Sequence, residues 1–435
     1  MAALVLTASL VAAACAEDEE PDASGTTEAP ADDGDDDGGT GGDAASEAAN
    51  EWGVEFIGGT AGEASGEPYK IGFAHSSDFF PEGVTGAEAA VEWINSELGG
   101  VGGRPLQLVT CNVAAPEDGA RCGAELANDD EIDLVIGGLV LHGNADLYAA
   151  LAGKAAAIIA SPLDTSDYTS PNAVAYSTGA LGAGMGGAEF VNTVLKPKST
   201  ALIVTDDVAG RGGAAVLQPI ADEYGVEVKQ VFVPPTATAP EIASALQASG
   251  AADADVISIG LFEQGCIAAY DAIKSLGLQD KPVATTSVCT GSTMQEHLRE
   301  VGDGGEAPDG WIFVGGSVKN PEGGPDLQAY LTKFAEYGDE RVIASVPAPL
   351  TFAAVVNAAK IINQVGVENA DYDSLDAAVR GFTGPAMLQP GPIECGVPPF
   401  ISICASQVSV VKYEGGEWQL LDEGVDILKY LRPAG

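Results

Sequence analysis

One glycine-rich pattern in the sequence could bind a nucleotide. The run from Gly182 to Gly187 (GAGMGG) has G-x-G-x-x-G spacing, in which glycines let the backbone approach a pyrophosphate. A strand-like run follows and ends at Asp206 and Asp207, roughly where an acid would contact a ribose. A lone match is weak in a chain with 56 glycines, and no clear strand ends at it. A glycine-rich crossover that opens a helix is therefore the favoured interpretation.

Groups suited to nucleophilic catalysis are sparse. The chain has three histidines and contains no G-x-S-x-G, S-x-x-K or H-E-x-x-H motif. His75 and His142 each follow a strand-like segment and could line a cleft, whereas His297 lies far away in the sequence. A single histidine in a cleft is more often a polar lining residue than a catalytic residue. We therefore expect no enzyme, cofactor or metal site, and a surface hydrolase is kept as the minor alternative.

The run Ser161–Ser166 (SPLDTS) follows a buried-strand pattern. Its hydroxyls, its backbone amides and the Asp164 carboxylate would face a crevice at the end of that strand. The alternative is an ordinary helix start with Asp164 as the N-cap. Both roles are compatible, because a helix N-terminus attracts anions.

Seven cysteines bear on the compartment and on cross-linking. Apart from Cys15, they fall into three pairs of sequence neighbours, which favours disulfides outside the cytoplasm. The six are Cys111, Cys122, Cys266, Cys289, Cys395 and Cys404. Fifteen connectivities are possible, so pairing of neighbours is a hypothesis. Metal binding is the alternative, although there is no C-x-x-C.

The N-terminus has the pattern of an exported, lipid-anchored protein. An apolar run from Leu4 to Ala14 is too short to span a bilayer and ends at Cys15. Small residues before a cysteine resemble a bacterial lipobox, so we predict a signal peptide over residues 1–15 with Cys15 as the lipid anchor. No Lys or Arg precedes the run. An ordinary signal peptide remains the alternative.

An acidic segment follows the cysteine. Residues 16–50 carry 13 of the acids and no Lys or Arg, which favours a disordered tether that we extend over residues 16–66. The formal net charge is −45, and −32 remains when those 13 acids are removed. This sign argues against nucleic acid and against electrostatic binding to anionic lipid. No apolar stretch of 18 residues occurs, so the only predicted membrane contact is the lipid anchor.

Strand and helix patterns alternate from about residue 68 onward. Apolar, β-branched runs such as YKIGFAH, STALIVTDD and DVISIGLF alternate with amphipathic runs, which is typical of parallel sheets covered on both faces. The end of the chain, QVSVVKYEGGEWQLL, predicts a hairpin that turns at Gly415 and Gly416. The length suggests two α/β lobes. Ligands in such folds bind at the carboxyl ends of strands, in the crevice between the lobes.

These segments together resemble a known family. YKIGFAHSSDFFPEGVTGAEAAVEWIN, LVIGGLVLHGNADLYAALAGKAAAIIASPLDTS, ALIVTDDVAGRGGAAVLQPIADEYG and ISIGLFEQGCIAAYDAIKSLGL occur in the order seen in the branched-chain amino acid binding proteins. These are type I periplasmic binding proteins of ABC importers. The resemblance implies two lobes, each a mostly parallel sheet flanked by helices, joined by three crossovers. It assigns residues 67–178 and 315–394 to lobe 1, and residues 179–314 and 395–435 to lobe 2.

The resemblance also implies a set of ligand contacts, carried over loop by loop. They are Phe79, Phe80, Leu141, His142, Leu163, Asp164, Thr165, Ala209, Phe262 and Ser287. Amino acid binders usually have a serine in the second of these loops, and an acid in the last loop to hold the ligand ammonium. Neither is found at the matching positions here. An apolar pocket for an amino acid, a small amide, a carboxylate or an aromatic acid is therefore expected.

The implied function is that of an extracytoplasmic receptor on the outer face of the cytoplasmic membrane. It would deliver a small molecule to the permease of an ABC importer, by hinge closure and as a monomer. A cell-surface sensor is the alternative that the sequence cannot separate from a transporter. The cysteine pairs fit this fold, since each joins a strand end or connection to its neighbour, and none need be catalytic.

Overall fold

A computed structural model describes residues 40–315 and 317–431 of the chain. The strands of the first sheet are β1 (Tyr69–His75), β2 (Leu106–Asn112), β3 (Leu134–Gly137), β4 (Ala156–Ile159) and β5 (Val174–Ala175). Their spatial order is β2-β1-β3-β4-β5, and every neighbouring pair is parallel. All residues of β3 and β4 are buried, as expected for strands with helices on both faces.

The second sheet has seven strands. They are β6 (Ser199–Thr205), β7 (Glu227–Val233), β8 (Val256–Gly260), β9 (Val283–Thr286), β10 (Trp311–Val314), β11 (Gln407–Glu414) and β12 (Glu417–Asp426). Their order is β12-β11-β10-β9-β8-β6-β7, and only the pairs made by β11 are antiparallel. The hairpin predicted at the end of the chain is confirmed. Its turn residues Gly415 and Gly416 have φ values of +64° and +87°, which favour glycine.

Helices cover the two sheets. They are α1 (Thr40–Ile57), α2 (Pro81–Ser96), α3 (Pro116–Ala127), α4 (Asn144–Leu151), α5 (Thr165–Thr169), α6 (Gly179–Phe190), α7 (Val208–Tyr224), α8 (Ala239–Ala248), α9 (Glu263–Ser275), α10 (Ser292–Glu300), α11 (Pro325–Tyr337), α12 (Pro347–Val365), α13 (Tyr372–Gly381) and α14 (Leu428–Leu431). A π-helical turn, Val191–Leu195, extends α6. The predicted α/β architecture with two mostly parallel sheets is confirmed.

The chain crosses between the two lobes three times. It leaves the first sheet after β5, returns after β10 to form α11 and α12, and re-enters the second sheet at β11. The boundary predicted at residue 395 is wrong by about ten residues. Ile403 pairs with Ala175 and Ala405 pairs with Ile393, so the segment before β11 belongs with the first lobe.

Helix α1 contradicts part of the predicted tether. The prediction of disorder over residues 16–66 is wrong from residue 40 onward, because α1 packs on the first lobe. Ala49 and Ile57 are buried, and the Trp93 indole donates to Asn50 Oδ1 at 2.8 Å. The remainder of the predicted tether, the signal peptide and Cys15 lie outside the described residues.

A close helix crossing shapes the first lobe. Helices α2 and α12 touch at Gly86, where a side chain would collide with the Ala348 carbonyl. Nearby, the Thr351 hydroxyl donates to the Gly83 carbonyl at 2.7 Å. This contact brings the N-terminal ends of both helices to the edge of the sheet where the strands end.

The six cysteines pair as sequence neighbours, so that hypothesis is confirmed. The bonds are Cys111–Cys122, Cys266–Cys289 and Cys395–Cys404. In the part of the chain that the structure describes, no helix has the length and hydrophobicity needed to cross a membrane.

Candidate ligand-binding site

The loops at the carboxyl ends of the strands carry the predicted ligand contacts. In the first lobe these loops hold Phe79, Phe80, Leu141, His142, Leu163, Asp164 and Thr165. In the second lobe Ala209 lies in the first turn of α7, Phe262 precedes α9, and Ser287 begins the 3₁₀ turn Ser287–Thr290. Since parallel strands end at one edge, each lobe presents its set of loops on one side.

Two aromatic side chains in these loops are exposed, one in each lobe. Phe79 is 50% exposed and Phe262 is 46% exposed, although a large apolar side chain gains free energy by burial. Phe79 meets the edge of the His142 ring, with the ring centres 5.9 Å apart. Phe80 differs, because it is partly buried and its carbonyl is already bonded. Each lobe therefore exposes one aromatic ring in these loops, and contact of either ring with a ligand stays a prediction.

His75 is a structural residue at the end of β1. Its Nε2 donates to the Phe80 carbonyl at 2.7 Å, and its Nδ1 accepts from the Leu139 amide at 2.9 Å. The ring therefore ties the loop after β1 to the loop after β3. A side chain at Gly83 or Gly138 would collide with the ring. Burial lowers the pKa of His75, so the folded protein holds it neutral.

Lowering the pH from about 7.5 to about 5.5 should reduce the free energy of unfolding. His75 in the unfolded chain takes up a proton near its ordinary pKa of about 6.5, whereas the folded state resists it. The unfolded state then binds more protons, so stability falls below that pH by up to about 1.4 kcal/mol per pH unit. Urea unfolding at both pH values should show the loss in the wild type and in the control His297→Gln. It should be smaller in His75→Gln, and an equal loss in all three proteins contradicts the assignment.

A buried carboxylate organises the loop after β4. Asp167 is 1% exposed and accepts from the Tyr148 hydroxyl at 2.6 Å and from the Asn144 side chain at 2.8 Å. It also accepts from the amides of Leu163 and Asp164, at 2.7 Å and 2.9 Å. Burial raises the pKa of the Asp167 carboxyl, while the four donors act in the opposite direction. Sequence reasoning missed Asp167, because its donors on α4 are distant in the sequence.

Asp164 caps α5, as the alternative interpretation of the SPLDTS run predicts. Its carboxylate accepts from the Ser166 amide at 2.9 Å and from the Ser166 hydroxyl at 2.6 Å. Thr165 is exposed and Leu163 is partly buried. Asp164 is therefore held in place, and a contact between this loop and a ligand stays a prediction.

Glu263 provides an acid in the second lobe that sequence reasoning missed. It lies in the first turn of α9, next to Phe262, and accepts from the Met294 amide at 3.2 Å. Burial raises the pKa of the Glu263 carboxyl, and the charge of Glu82 adds to the effect. Glu82 belongs to α2 of the first lobe, so the two acids influence each other across the cleft. The sequence did carry a signal for this residue. In the run ISIGLFE an acid directly follows the aromatic residue that comes after a strand.

A cavity of about 70 Å³ lies between the lobes near the crossovers. That volume exceeds the roughly 10–15 Å³ that one water needs. Ser287 and Gly315 line it from the second lobe, and Ser177 and Asn357 line it from the first. Of the ten predicted contacts, Ser287 is the one that the described lining of this cavity includes. For the others, contact with a ligand stays a prediction.

The residues that sequence reasoning missed in this cavity come mainly from the crossovers and from α12. Tyr176 and Ser177 follow β5, Gln389 precedes the third crossover, and Ser345 precedes α12. The helical pattern of α12 was recognised in the sequence, but nothing local shows that its N-terminal end reaches the cleft.

The structure does not support the nucleotide-binding interpretation of the glycine-rich run. Gly182–Gly187 lies inside α6 rather than in a loop between a strand and a helix. A side chain at Gly186 would collide with Val408, so this glycine permits close packing of α6 on β11. Asp207 caps α7 by accepting from the Gly210 amide, and Asp206 bonds Arg211. In addition, no group of three potential metal ligands occurs among the described residues.

Comparisons with known proteins agree with this geometry. The sequence profile of the family described as periplasmic binding protein matches residues 74–394. No curated protein matches the chain. An ABC transporter substrate-binding protein from Sphaerobacter thermophilus has a similar structure, with 17% identity, a TM-score of 0.69, and coverage of 83% of this chain and 98% of that one.

Two further solved structures contain ligands. An R. palustris solute binding protein in complex with 4-hydroxybenzoate is 17% identical with a TM-score of 0.65, over 83% of this chain and 96% of that one. The branched-chain amino acid transporter substrate binding protein LivJ from Streptococcus pneumoniae, in complex with isoleucine, is 15% identical with a TM-score of 0.63. The match covers 82% of this chain and all of that one. At such identities the likeness establishes the fold.

Proposed function

Because the chain belongs to the periplasmic binding protein family, we propose that it is an extracytoplasmic receptor for a small molecule, which it delivers to an ABC importer. The observation that carries the proposal is the cleft between the lobes. One exposed aromatic side chain stands on each lobe, Phe79 and Phe262, and residues of both lobes line the cavity at the crossovers.

The proposed mechanism is hinge closure. Three crossovers join the lobes, so small changes of backbone angle there can open or close the cleft. A ligand that contacts both lobes binds the closed form better and shifts the population toward it. The ligand itself is not transformed. His75, the buried histidine at the cleft, has both ring nitrogens bonded to the backbone and cannot act as a base without breaking one bond.

The ligand is proposed to combine an apolar body with a few polar groups. Phe79, His142 and Phe262 suit an aromatic or branched apolar group. Ser287 and Ser345 line the cavity, and a serine hydroxyl suits a carboxylate or an amide, whereas the Ser177 hydroxyl already donates to the Ala160 carbonyl at 2.8 Å. Glu263 with Glu82 favours a ligand that also carries a positive charge, because a cation relieves the repulsion between the two acids.

Calorimetric titration of protein that has been unfolded and refolded to remove bound ligand tests the proposal. Leucine, phenylalanine, benzoate, 4-hydroxybenzoate, short amides and urea form a suitable panel. We expect saturable binding of one class, with the compound recovered unaltered. Recovery of a chemically converted compound would show that the protein is an enzyme rather than a receptor. Absence of binding by every compound of the panel would exclude amino-acid-like and aromatic ligands.

Phe262→Ala is expected to weaken the binding of that ligand by roughly tenfold or more, since an aromatic side chain at the centre of a binding site contributes about 1–2 kcal/mol or more. Leu421→Ala is the matched control, because Leu421 is similarly exposed at 39% but lies on β12. Calorimetry on both variants gives the two affinities. Equal affinities would remove Phe262 from the site.

The lipid anchor is part of the proposal. The apolar run and small residues before Cys15 support acylation of that cysteine. Such an anchor would keep a monomeric receptor at the outer face of the cytoplasmic membrane, close to its permease. Mass spectrometry of the N-terminal peptide from native membranes would detect the acyl chains, and an unmodified Cys15 in mature protein would rule the anchor out.

A further inference from the structure

The two buried lysines of the described residues are in opposite electrostatic situations. Lys333 has the carboxylates of Glu97 and Glu336 within 2.8 Å. Lys360 is 8% exposed, and no carboxylate of the described residues lies within ion-pair distance of its Nζ. Buried charges are normally paired, because removing a charge from water is costly. An unpaired buried cation in a chain of net charge −45 therefore calls for an explanation.

The contacts of Lys360 compensate its charge only in part. Its Nζ lies 3.9 Å from the centre of the Phe56 ring and 5.5 Å from that of Phe382. It also donates one hydrogen bond, of 3.2 Å, to the Pro385 carbonyl. Aromatic faces attract a cation, but an ammonium has three protons to donate. Burial lowers the pKa of Lys360, which agrees with incomplete compensation of its charge.

A groove of about 430 Å³ opens beside this ammonium, between the C-terminal ends of α1 and α12. Its lining includes Trp52, Phe56, Lys360, Asn363, Gln364 and Pro385. The Trp52 and Phe56 rings are stacked, with centres 4.7 Å apart. The volume lies in the range of small-molecule sites, and the composition of aromatic walls with one cation is typical of them.

The groove is separate from the cleft. Helix α12 begins at Pro347, where its N-terminal residues line the cavity between the lobes. Lys360 lies about 20 Å further along the same helix, from the rise of 1.5 Å per residue. The groove is built by α1, α12 and the segment at Pro385, all in the first lobe.

We propose that the groove between α1 and α12 is a second ligand site, which binds a small aromatic carboxylate. The carboxylate pairs with the Lys360 ammonium, and the ligand ring packs against the edges of Trp52 and Phe56, because their faces are already stacked on each other, on Trp93 and under the ammonium. Such a ligand supplies the anion that the described residues do not, and it covers aromatic surface that is only partly buried. The exposed Glu55 at the rim disfavours a second negative charge on the ligand.

Nuclear magnetic resonance of the full folded chain with ε-¹³C-labelled lysine tests this site, with benzoate as the probe. We expect the Lys360 resonance, assigned from Lys360→Met, to shift saturably with benzoate, and the pKa of Lys360 to rise toward that of an ordinary lysine. A Lys360 resonance that stays still throughout the benzoate titration overturns the proposal. Benzoate binding in the cleft alone would appear as a calorimetric signal without movement of Lys360, so the two sites fail independently.

Variants provide the second arm of the test. Lys360→Met should remove the benzoate site while Phe262→Ala keeps it. Lys281→Met is the matched control, because Lys281 also donates to a backbone carbonyl, Ala254 at 2.6 Å, and has no carboxylate within ion-pair distance among the described residues. Unchanged benzoate stoichiometry in a folded Lys360→Met protein overturns the proposal. If that variant does not fold, the wild-type titration alone decides.

Discussion

Replacing Lys333 by methionine is expected to lower the free energy of unfolding by about 3 kcal/mol. Lys333 is fully buried and donates to the Ser46 hydroxyl at 2.5 Å, to Glu97 at 2.8 Å and to Glu336 at 2.8 Å. Its removal leaves two carboxylates without their cation. The expected loss is at the lower end of the range for a broken buried ion pair, because the Glu97 and Glu336 side chains are 24% and 34% exposed.

Urea unfolding measures this loss, and Lys229→Met is the matched control. Lys229 is 62% exposed and pairs with the exposed Glu227, so the same substitution there should change stability by no more than about 0.5 kcal/mol. Burial raises the pKa of the Glu97 carboxyl, but hydrogen bonds from Lys333 and Tyr337 outweigh it and the net shift is downward. An equal loss of unfolding free energy in the two lysine variants would show that the buried ion pairs of Lys333 stabilise the fold no more than an exposed ion pair does.

The same substitution should also release α1. Ser46 belongs to α1, Glu97 follows α2, and Lys333 belongs to α11, so one ammonium joins three segments that are far apart in the sequence. Limited proteolysis should cut residues 40–57 faster in Lys333→Met than in the wild type. Protection that is unchanged would mean that the apolar contacts of Ala49 and Ile57 hold α1 by themselves.

Replacing Asp167 by alanine is expected to cost about 3–5 kcal/mol of stability and to abolish tight ligand binding. Two buried donors, on Asn144 and Tyr148, and two partly buried amides lose their acceptor, and each unsatisfied buried donor costs roughly 1–3 kcal/mol. Two of the donors are the amides of Leu163 and Asp164. The loop that approaches the cleft would therefore lose its fixed shape.

Two further substitutions compare how much Asp167 and Asp164 each contribute to the stability of this loop. Asp167→Asn keeps one carbonyl oxygen as an acceptor but presents an amide group to the other donors, so an intermediate loss is expected. Asp164→Ala removes only the cap of α5 and should cost about 1 kcal/mol. Thermal unfolding and calorimetry on the three variants give the order. A larger loss in Asp164→Ala than in Asp167→Ala would contradict the role assigned to the buried carboxylate.

The sequence predicted the parts of the fold whose signals are local. Strand β1 was predicted over Tyr69–His75 and has those bounds, because its apolar and aromatic composition is a property of the segment itself. The hairpin at Gly415 and Gly416 was recognised because two adjacent residues must adopt positive φ. Strand β5 was missed, since two residues carry no pattern. Strand β10 was also missed, although its four residues are apolar and all buried.

Helix α1 was missed for a different reason. Its residues directly follow a long acidic run. When the composition of both stretches is taken together, it is that of a disordered chain. The buried positions Ala49, Gly53 and Ile57 recur at helical spacing and could have indicated an amphipathic helix. The free energy gained when α1 packs on the first lobe depends on its contacts with Trp93 and Lys333. Both residues are too far away in the sequence to be recognised from the segment itself.

In the candidate site, too, some features could be predicted from local sequence and others depend on tertiary packing. Phe79 and Phe262 were predicted as contacts because each lies in the loop after a strand, and parallel strands bring their ends to a common edge; both are exposed, and their contact with a ligand stays a prediction. Glu263 and the residues near α12 were missed, because their place at the cleft depends on how α9 and α12 pack. Asp164 could be assigned both a cap and a ligand contact from sequence, and the structure fixes the cap.

The sequence by itself predicted most of the strands and helices, the pairing of neighbouring cysteines, and the resemblance that implied two lobes, while export and lipid anchoring stay predictions. These depend on periodicity, turn residues and spacing, which a short stretch of chain carries alone. Only the tertiary structure decided that His75 is held neutral by two backbone groups and that Asp167 serves four donors. It also decided that Lys333 is paired, whereas Lys360 has no carboxylate partner among the residues that the structure describes. The physical reason is that desolvation and pairing of a buried charge depend on neighbours brought together by packing, and those neighbours come from segments far apart in the chain.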